Sequence, residues 1–163
     1  MDILFNNQTL LQVGSQAPDF TLLNQQGQPV QLTLILARAW AVLFFYPKDD
    51  SPICTAEACA FRYQFENFRA EGAEILGISA DSVASHLRFA KKQQLPFDLL
   101  SDPGREVARQ YGVPEALGLI PSRVTFVVDT QRTVRMVYPA PFTSKQHVEK
   151  ALDFLRAEAS PKI

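Results

Sequence analysis

Residues 39 to 46, Ala-Trp-Ala-Val-Leu-Phe-Phe-Tyr, form an unbroken apolar run that stops at Pro47. The run has strand length and is far too short to span a bilayer. A strand with no polar alternation buries both of its faces. The segment therefore predicts a central strand with other elements packed above and below it. Pro47 cannot continue a strand ladder, and the polar loop Lys48-Asp-Asp-Ser-Pro52 follows. Open α/β sheets place their ligand crevices at such carboxyl ends of central strands.

The rest of the chain supplies covering layers. Asp19-Phe-Thr-Leu-Leu23 and Pro29-Val-Gln-Leu32 flank Gln25-Gln-Gly-Gln28 and predict an N-terminal β-hairpin in a stretch running through Leu36. Beyond the loop, Phe61, Phe65 and Phe68 recur at spacings of four and three, an apolar helix stripe closed by Gly72. Ala73–Ser79 reads as a strand. Ser82–Gln94 reads as a helix with Val83, Leu87 and Ala90 on one side, and Phe97–Leu100 as a short strand. Asp102-Pro103 has the order of a helix start, and Gly112 ends that helix. Arg123–Asp129 and Thr133–Tyr138 predict a second hairpin. Thr143 and Gln146 predict a capping box before an amphipathic helix marked by Val148, Ala151, Leu152 and Leu155. The pattern is α/β, with a mixed central sheet flanked by helices. With no linker or repeat, residues 1–163 read as one domain.

Charge and composition exclude several classes. The net charge is −1, and Lys91-Lys92 is the only Lys/Arg doublet, so nothing points to nucleic acid or an anionic membrane. Asp2 stands where a signal peptide would carry positive charge, and no apolar stretch follows it. The expected location is the cytoplasm. Cys54 and Cys59 are the only cysteines, and in a reducing compartment such a close pair suits catalysis, redox switching or metal binding better than a structural staple.

Ser51-Pro-Ile-Cys54 reads as N-cap, N1, N2 and N3 of a helix. Cys54 then lies in the first turn, where unpaired N–H groups and the helix dipole favour an anion, here the nucleophilic thiolate. Cys59 follows five residues later. On one intact helix the two Cα atoms would sit about 8.5 Å apart, whereas a disulfide needs less than about 7 Å. Either the bond never forms, or the helix start unwinds when it does. A reduced chain should carry both cysteines on one helix. Zinc held by Cys54, Cys59, His86 and His147 is disfavoured by their spacing, and both histidines read as exposed helix positions. No cofactor motif is present.

Phe45-Tyr-Pro-Lys-Asp-Asp-Ser-Pro-Ile-Cys-Thr-Ala-Glu-Ala-Cys-Ala-Phe-Arg62 resembles the active-site segment of the peroxiredoxins, in particular the bacterioferritin-comigratory-protein or peroxiredoxin Q subfamily. Val13–Leu22, Leu99–Pro103 and Ile120–Asp129 resemble further family segments in the same order. The resemblance implies a thioredoxin-like fold and a thiol peroxidase acting in antioxidant defence and redox homeostasis. It implies Cys54 as the peroxidatic cysteine, oxidised to a sulfenic acid by hydrogen peroxide or an organic hydroperoxide. Cys59 would resolve it as an intramolecular disulfide, which thioredoxin or a similar dithiol donor would reduce. Arg123 would stabilise thiolate and peroxide, Ser51 and the first-turn N–H groups would hold the peroxide, Pro47 would shield the thiolate, and Glu57 would orient Arg123. Resolution within one chain lets a monomer suffice.

Three positions depart from the family pattern: Ser51 replaces the commoner Thr, Ile53 stands where Gly is frequent, and the Asp129-Thr-Gln-Arg132 turn lacks its usual Gly. Ile53 is expected to alter loop flexibility or to add an apolar wall favouring organic hydroperoxides. Two other classes compete: a general thiol–disulfide oxidoreductase, which normally uses Cys-x-x-Cys, and a redox sensor or holdase that is oxidised once and stops.

Overall fold

The computed structural model describes residues 9–115, 123–140 and 143–158. The apolar run becomes β3 (Trp40–Phe45), buried at every position after Trp40. Its side chains alternate between two cores: Ala41, Leu43 and Phe45 face one, and Val42 and Phe44, followed by Tyr46, face the other. The full order is β1 (Thr21–Leu23), β2 (Pro29–Gln31), α1 (Leu32–Leu36), β3, α2 (Pro52–Tyr63), α3 (Phe65–Ala70), β4 (Ala73–Ser79), α4 (Val83–Gln93), β5 (Asp98–Ser101), α5 (Glu106–Gln110), β6 (Val124–Val128), β7 (Val134–Pro139) and α6 (Lys145–Ala157). The strands form one mixed sheet in the order β2-β1-β5-β4-β3-β6-β7. β3 pairs in parallel with β4 and antiparallel with β6. Helices α1 and α5 cover one face, and α2, α3, α4 and α6 cover the other. This is the thioredoxin-like arrangement, and both predicted hairpins form, β1 with β2 and β6 with β7.

The second core is aromatic. Phe44 stacks on Phe61 of α2 with ring centroids 4.5 Å apart, which ties the central strand to the cysteine-bearing helix. Gly77 makes room: a Cβ there would lie 2.7 Å from Phe44 Cζ and 2.9 Å from Leu99 Cδ2. Any larger residue at 77 displaces the ring that supports α2.

Several local expectations need correction. The helix expected to run unbroken to Gly72 is interrupted at Gln64 (φ −99°, ψ 8°) into α2 and α3, and Phe61 and Phe68, with rings 5.6 Å apart, lie in one core. A short helix, α1, follows β2 directly. Its first turn is capped by Asp19, which accepts from Thr33 N at 3.0 Å across fourteen residues of sequence. Helix α5 starts at Glu106, and the Asp102 carboxylate caps it from before a turn by accepting from Val107 N and Ala108 N. The Thr143–Gln146 capping box does not form. Gln146 instead accepts from the Tyr138 hydroxyl at 3.0 Å. Neither histidine is exposed: His86 and His147 are fully buried, with both ring nitrogens of each hydrogen-bonded. In the Gly-less hairpin turn Arg132 takes the left-handed position (φ 65°), while Asp129 Oδ1 accepts from Gln131 N and Thr133 N. Residues 120–122 of the last family-like segment lie outside the described residues.

Candidate active site

Sheet register brings the site together. Phe45 at the end of β3 pairs with Val124 at the start of β6, so Arg123 stands beside the β3 exit, where the chain turns through Pro47 toward α2. The intervening loop is anchored at Asp49, which is buried. Its Oδ1 accepts from the Tyr46 hydroxyl at 2.6 Å, its Oδ2 accepts from Ser85 Oγ at 2.8 Å and lies 2.7 Å from His86 Nδ1, and its backbone N–H donates to Asp81 Oδ2 at 2.8 Å. Asp49, Asp81 and His86 are close enough to one another to suggest a metal cluster, but both Asp49 oxygens, Asp81 Oδ2 and both His86 ring nitrogens already take part in hydrogen bonds. The four residues weighed above for zinc are not gathered into one cluster among the described residues.

Ser51 is the N-cap by backbone geometry, and its carbonyl accepts the first helical bond from Thr55 N at 2.9 Å. Its side chain does not cap, contrary to the expectation for a serine there. The hydroxyl donates back to Lys48 O at 3.0 Å. Pro52 occupies the first helical position, and Cys54 lies in the first turn, buried and unbonded to Cys59. Cys59, half-buried on the same unbroken α2, directs Sγ at Gln93 Oε1 (3.4 Å). The structure thus has the single reduced helix predicted from the spacing.

Arg123, 4% exposed, bridges the site. Nη2 donates to Cys54 Sγ at 3.4 Å and Nη1 donates to Glu57 Oε1 at 2.7 Å. Glu57 sits one helical turn after Cys54 and is fully buried, so both groups that meet the guanidinium come from one face of α2. Burial pushes the Glu57 carboxyl up to about 8, against the lowering pull of Arg123. A planar fork of fixed donors holds two partners where a lysine would meet one. Pro47, half-buried, borders a cavity of about 200 Å³ with Tyr46, Ser79, Arg105 and Glu115. Cys54, Ser51 and Arg123 do not line that cavity.

Of the predicted site residues, Cys54, Glu57 and Arg123 are in direct contact. Pro47 and Ser51 frame the loop before them, and Cys59 lies further along the same helix. Sequence reading missed His147 and Thr125, which extend this cluster from α6 and β6. Thr125 Oγ1 lies 2.8 Å from His147 Nδ1, which is 3.6 Å from Glu57 Oε2. A signal was present: His147, Ala151 and Leu155 recur at a spacing of four and share the buried face of α6.

The chain matches the AhpC/TSA family over residues 13–137. It is 46% identical over 145 residues to the chloroplastic peroxiredoxin Q of Arabidopsis thaliana, covering 88% of this chain and 67% of that one. Its fold is similar to that of peroxidoxin BcpB from Mycobacterium tuberculosis, with a TM-score of 0.84 and 39% identity over 90% of this chain and 97% of that one. It is likewise similar to a cysteine-to-serine mutant of Xanthomonas campestris peroxiredoxin Q, with a TM-score of 0.81 and 30% identity over 94% and 99% of the two chains. With a helix-start cysteine held by a buried arginine in a thioredoxin-like sheet, the chain belongs to the AhpC/TSA family, as a peroxiredoxin of the peroxiredoxin Q kind.

Proposed function

We propose that the chain reduces hydrogen peroxide and organic hydroperoxides in two thiol steps. The Arg123 contact to Cys54 is the observation that carries this reading. The Cys54 thiolate attacks one peroxide oxygen. An S–O bond forms, the O–O bond breaks, and the leaving oxygen takes a proton to depart as water or alcohol. Arg123 offsets the negative charge that moves across the reacting atoms. The Ser51 hydroxyl can join by turning away from Lys48 O, and Pro47 limits water at the loop. Cys59 then attacks the sulfenic sulfur. An S–S bond forms, the S–O bond breaks, and water leaves.

The second step is mechanically demanding. Both cysteines lie on α2, where a five-residue separation is too long for a disulfide. The helix start therefore opens in each cycle. A thioredoxin-type dithiol closes the cycle by reducing the disulfide. A monomer acting in the cytoplasm is the arrangement we propose, since both cysteines belong to one chain. Among the described residues no helix is long and apolar enough to cross a membrane.

The test is one equivalent of peroxide on reduced protein, followed by mass mapping. The expected products are a Cys54–Cys59 disulfide and, in Cys59→Ser, a trappable sulfenic acid at Cys54. Peroxidase activity unchanged in Cys54→Ser would sink the reading. Continuous turnover with a thioredoxin system separates a peroxidase from a sensor, which stops after one oxidation.

A further inference from the structure

The buried cluster behind Arg123 contains one group whose bonding is incomplete. Glu57 is fully buried, yet among the described residues its Oε2 has no hydrogen-bond partner. An ionised carboxylate oxygen in that position would be costly. The polar atom facing it is His147 Nδ1, at 3.6 Å. His147 Nε2 lies 2.7 Å from the Ala140 carbonyl, which can only accept, so Nε2 carries a hydrogen. Burial, helped by the nearby Arg123 charge and opposed by the Ala140 bond, holds His147 down at about 4. The ring is therefore neutral, and Nδ1 presents a lone pair. In that tautomer the Thr125 hydroxyl donates to Nδ1 from β6 at 2.8 Å, so Glu57 Oε2 meets an electron-rich ring edge with no N–H to offer it, a neighbour that disfavours the carboxylate, and the Tyr138 ring of β7 packs edge-on at 4.8 Å. The charged and titratable groups around the ring are Glu57, Arg123 and Tyr138.

We propose that His147 is a positioning residue for the peroxidatic thiol: its Nδ1 faces a proton carried by Glu57 on Oε2, and this keeps the carboxyl neutral so that the Arg123 charge serves the Cys54 thiolate. A charged Glu57 would compete for the same guanidinium through its 2.7 Å bond. A neutral Glu57 still accepts from Arg123 through Oε1 and holds its plane, without cancelling its charge. The burial that raises Glu57 to about 8 acts in the same direction. The inference rests on the peroxidase reading only in naming Cys54 as the reacting thiol.

The test uses the full chain carrying Cys59→Ser, so that Cys54 is the one cysteine, and follows thiolate absorbance against pH. An asparagine amide can reach the place of Nδ1, and a glutamine amide the place of Nε2. His147→Asn is therefore expected to leave the Cys54 titration close to the parent's. His147→Gln keeps the Ala140 contact but loses the group facing Glu57. It is expected to raise the midpoint by about one unit and to slow oxidation by peroxide about tenfold. Glu57→Gln, neutral at every pH, is expected to leave the midpoint in place and to abolish the effect of His147→Gln. Infrared spectra should show the C=O stretch of a protonated carboxyl that disappears in Glu57→Gln; this measurement needs no change at 147.

A midpoint moved by Glu57→Gln alone would overturn the proposal. So would a silent His147→Gln, equal damage from both His147 variants, a His147→Gln effect that persists beside Glu57→Gln, or absence of the infrared band. None of these outcomes bears on whether Cys54 reduces peroxide, which the Cys54→Ser assay decides separately.

Discussion

Arg123 meets Cys54 and Glu57 with two nitrogens of one rigid plane, at 3.4 and 2.7 Å. Lysine at this position keeps the charge but offers a single point donor. Arg123→Lys should therefore lose the contact to one of the two partners and slow Cys54 oxidation roughly 100-fold, the scale of losing one preorganised donor to developing charge. Stopped-flow oxidation by peroxide measures it, and a rate close to the parent's would show that the fork is dispensable. At this scale the meeting of Cys54, Glu57 and Arg123 was legible because the family resemblance implies it. The Ser51 side chain was not: nothing in Ser51-Pro52 tells whether the hydroxyl caps forward or, as it does, bonds back to Lys48 O. His86 and His147 were misplaced because polarity was weighed above helix periodicity. Each is buried because its ring nitrogens are hydrogen-bonded, which is visible only once distant strands are assembled.

On the proposed cycle helix α2 opens for resolution, and the contacts around it bound where. Upstream, the loop is pinned at Asp49 to Tyr46, Ser85 and Asp81. Downstream, Arg62 donates to the carbonyl of Gln93, Cys59 reaches the Gln93 side chain, and Phe61 is locked against Phe44. On that cycle the stretch that opens is the first turn after Asp50 and before Glu57, which Arg123 holds at 2.7 Å, with Cys54 travelling toward Cys59. Ile53, half-buried in this stretch, resists opening more than glycine would. Ile53→Gly should weaken the first turn by about 0.5 kcal/mol and speed disulfide formation about twofold. Removing its apolar surface should also lower the preference for organic hydroperoxides over hydrogen peroxide. Rapid-quench mass mapping of the two oxidation steps checks the first effect, and paired kcat/KM values check the second. Far-ultraviolet circular dichroism should fall on oxidation; an unchanged helix signal beside a formed disulfide would refute the opening. Elements with long periodic patterns were legible, but α1 and the start of α5 were not. Their caps, Asp19 and Asp102, lie outside the helices they serve.

Across the whole molecule, one sheet brings residues 69 apart in sequence into the same site, because β6 runs antiparallel beside β3. The apolar run predicted a central strand, yet no periodicity could choose its neighbours; that choice comes from two cores closing at once. The same closure buries Glu57 and His147 together, which has a consequence for stability. Glu57 rises from 4.5 to about 8 on folding, so between those values the native chain holds a proton that the unfolded chain has lost. Stability then falls as pH rises through this window. His147 drops from 6.5 to about 4, so the unfolded chain holds the extra proton there, and stability rises with pH until about 6.5. The two effects oppose each other from about 4.5 to 6.5, leaving Glu57 alone from about 6.5 to 8. Over that interval its contribution should decline by up to about 2 kcal/mol, at about 1.4 kcal/mol per unit. Glu57→Gln has no proton to lose, so its urea-unfolding free energy should decline less with pH by that amount. Parallel curves for the two proteins between pH 6.5 and 8 would mean that Glu57 is already ionised in the folded chain, and that the Arg123 charge is divided between carboxylate and thiolate.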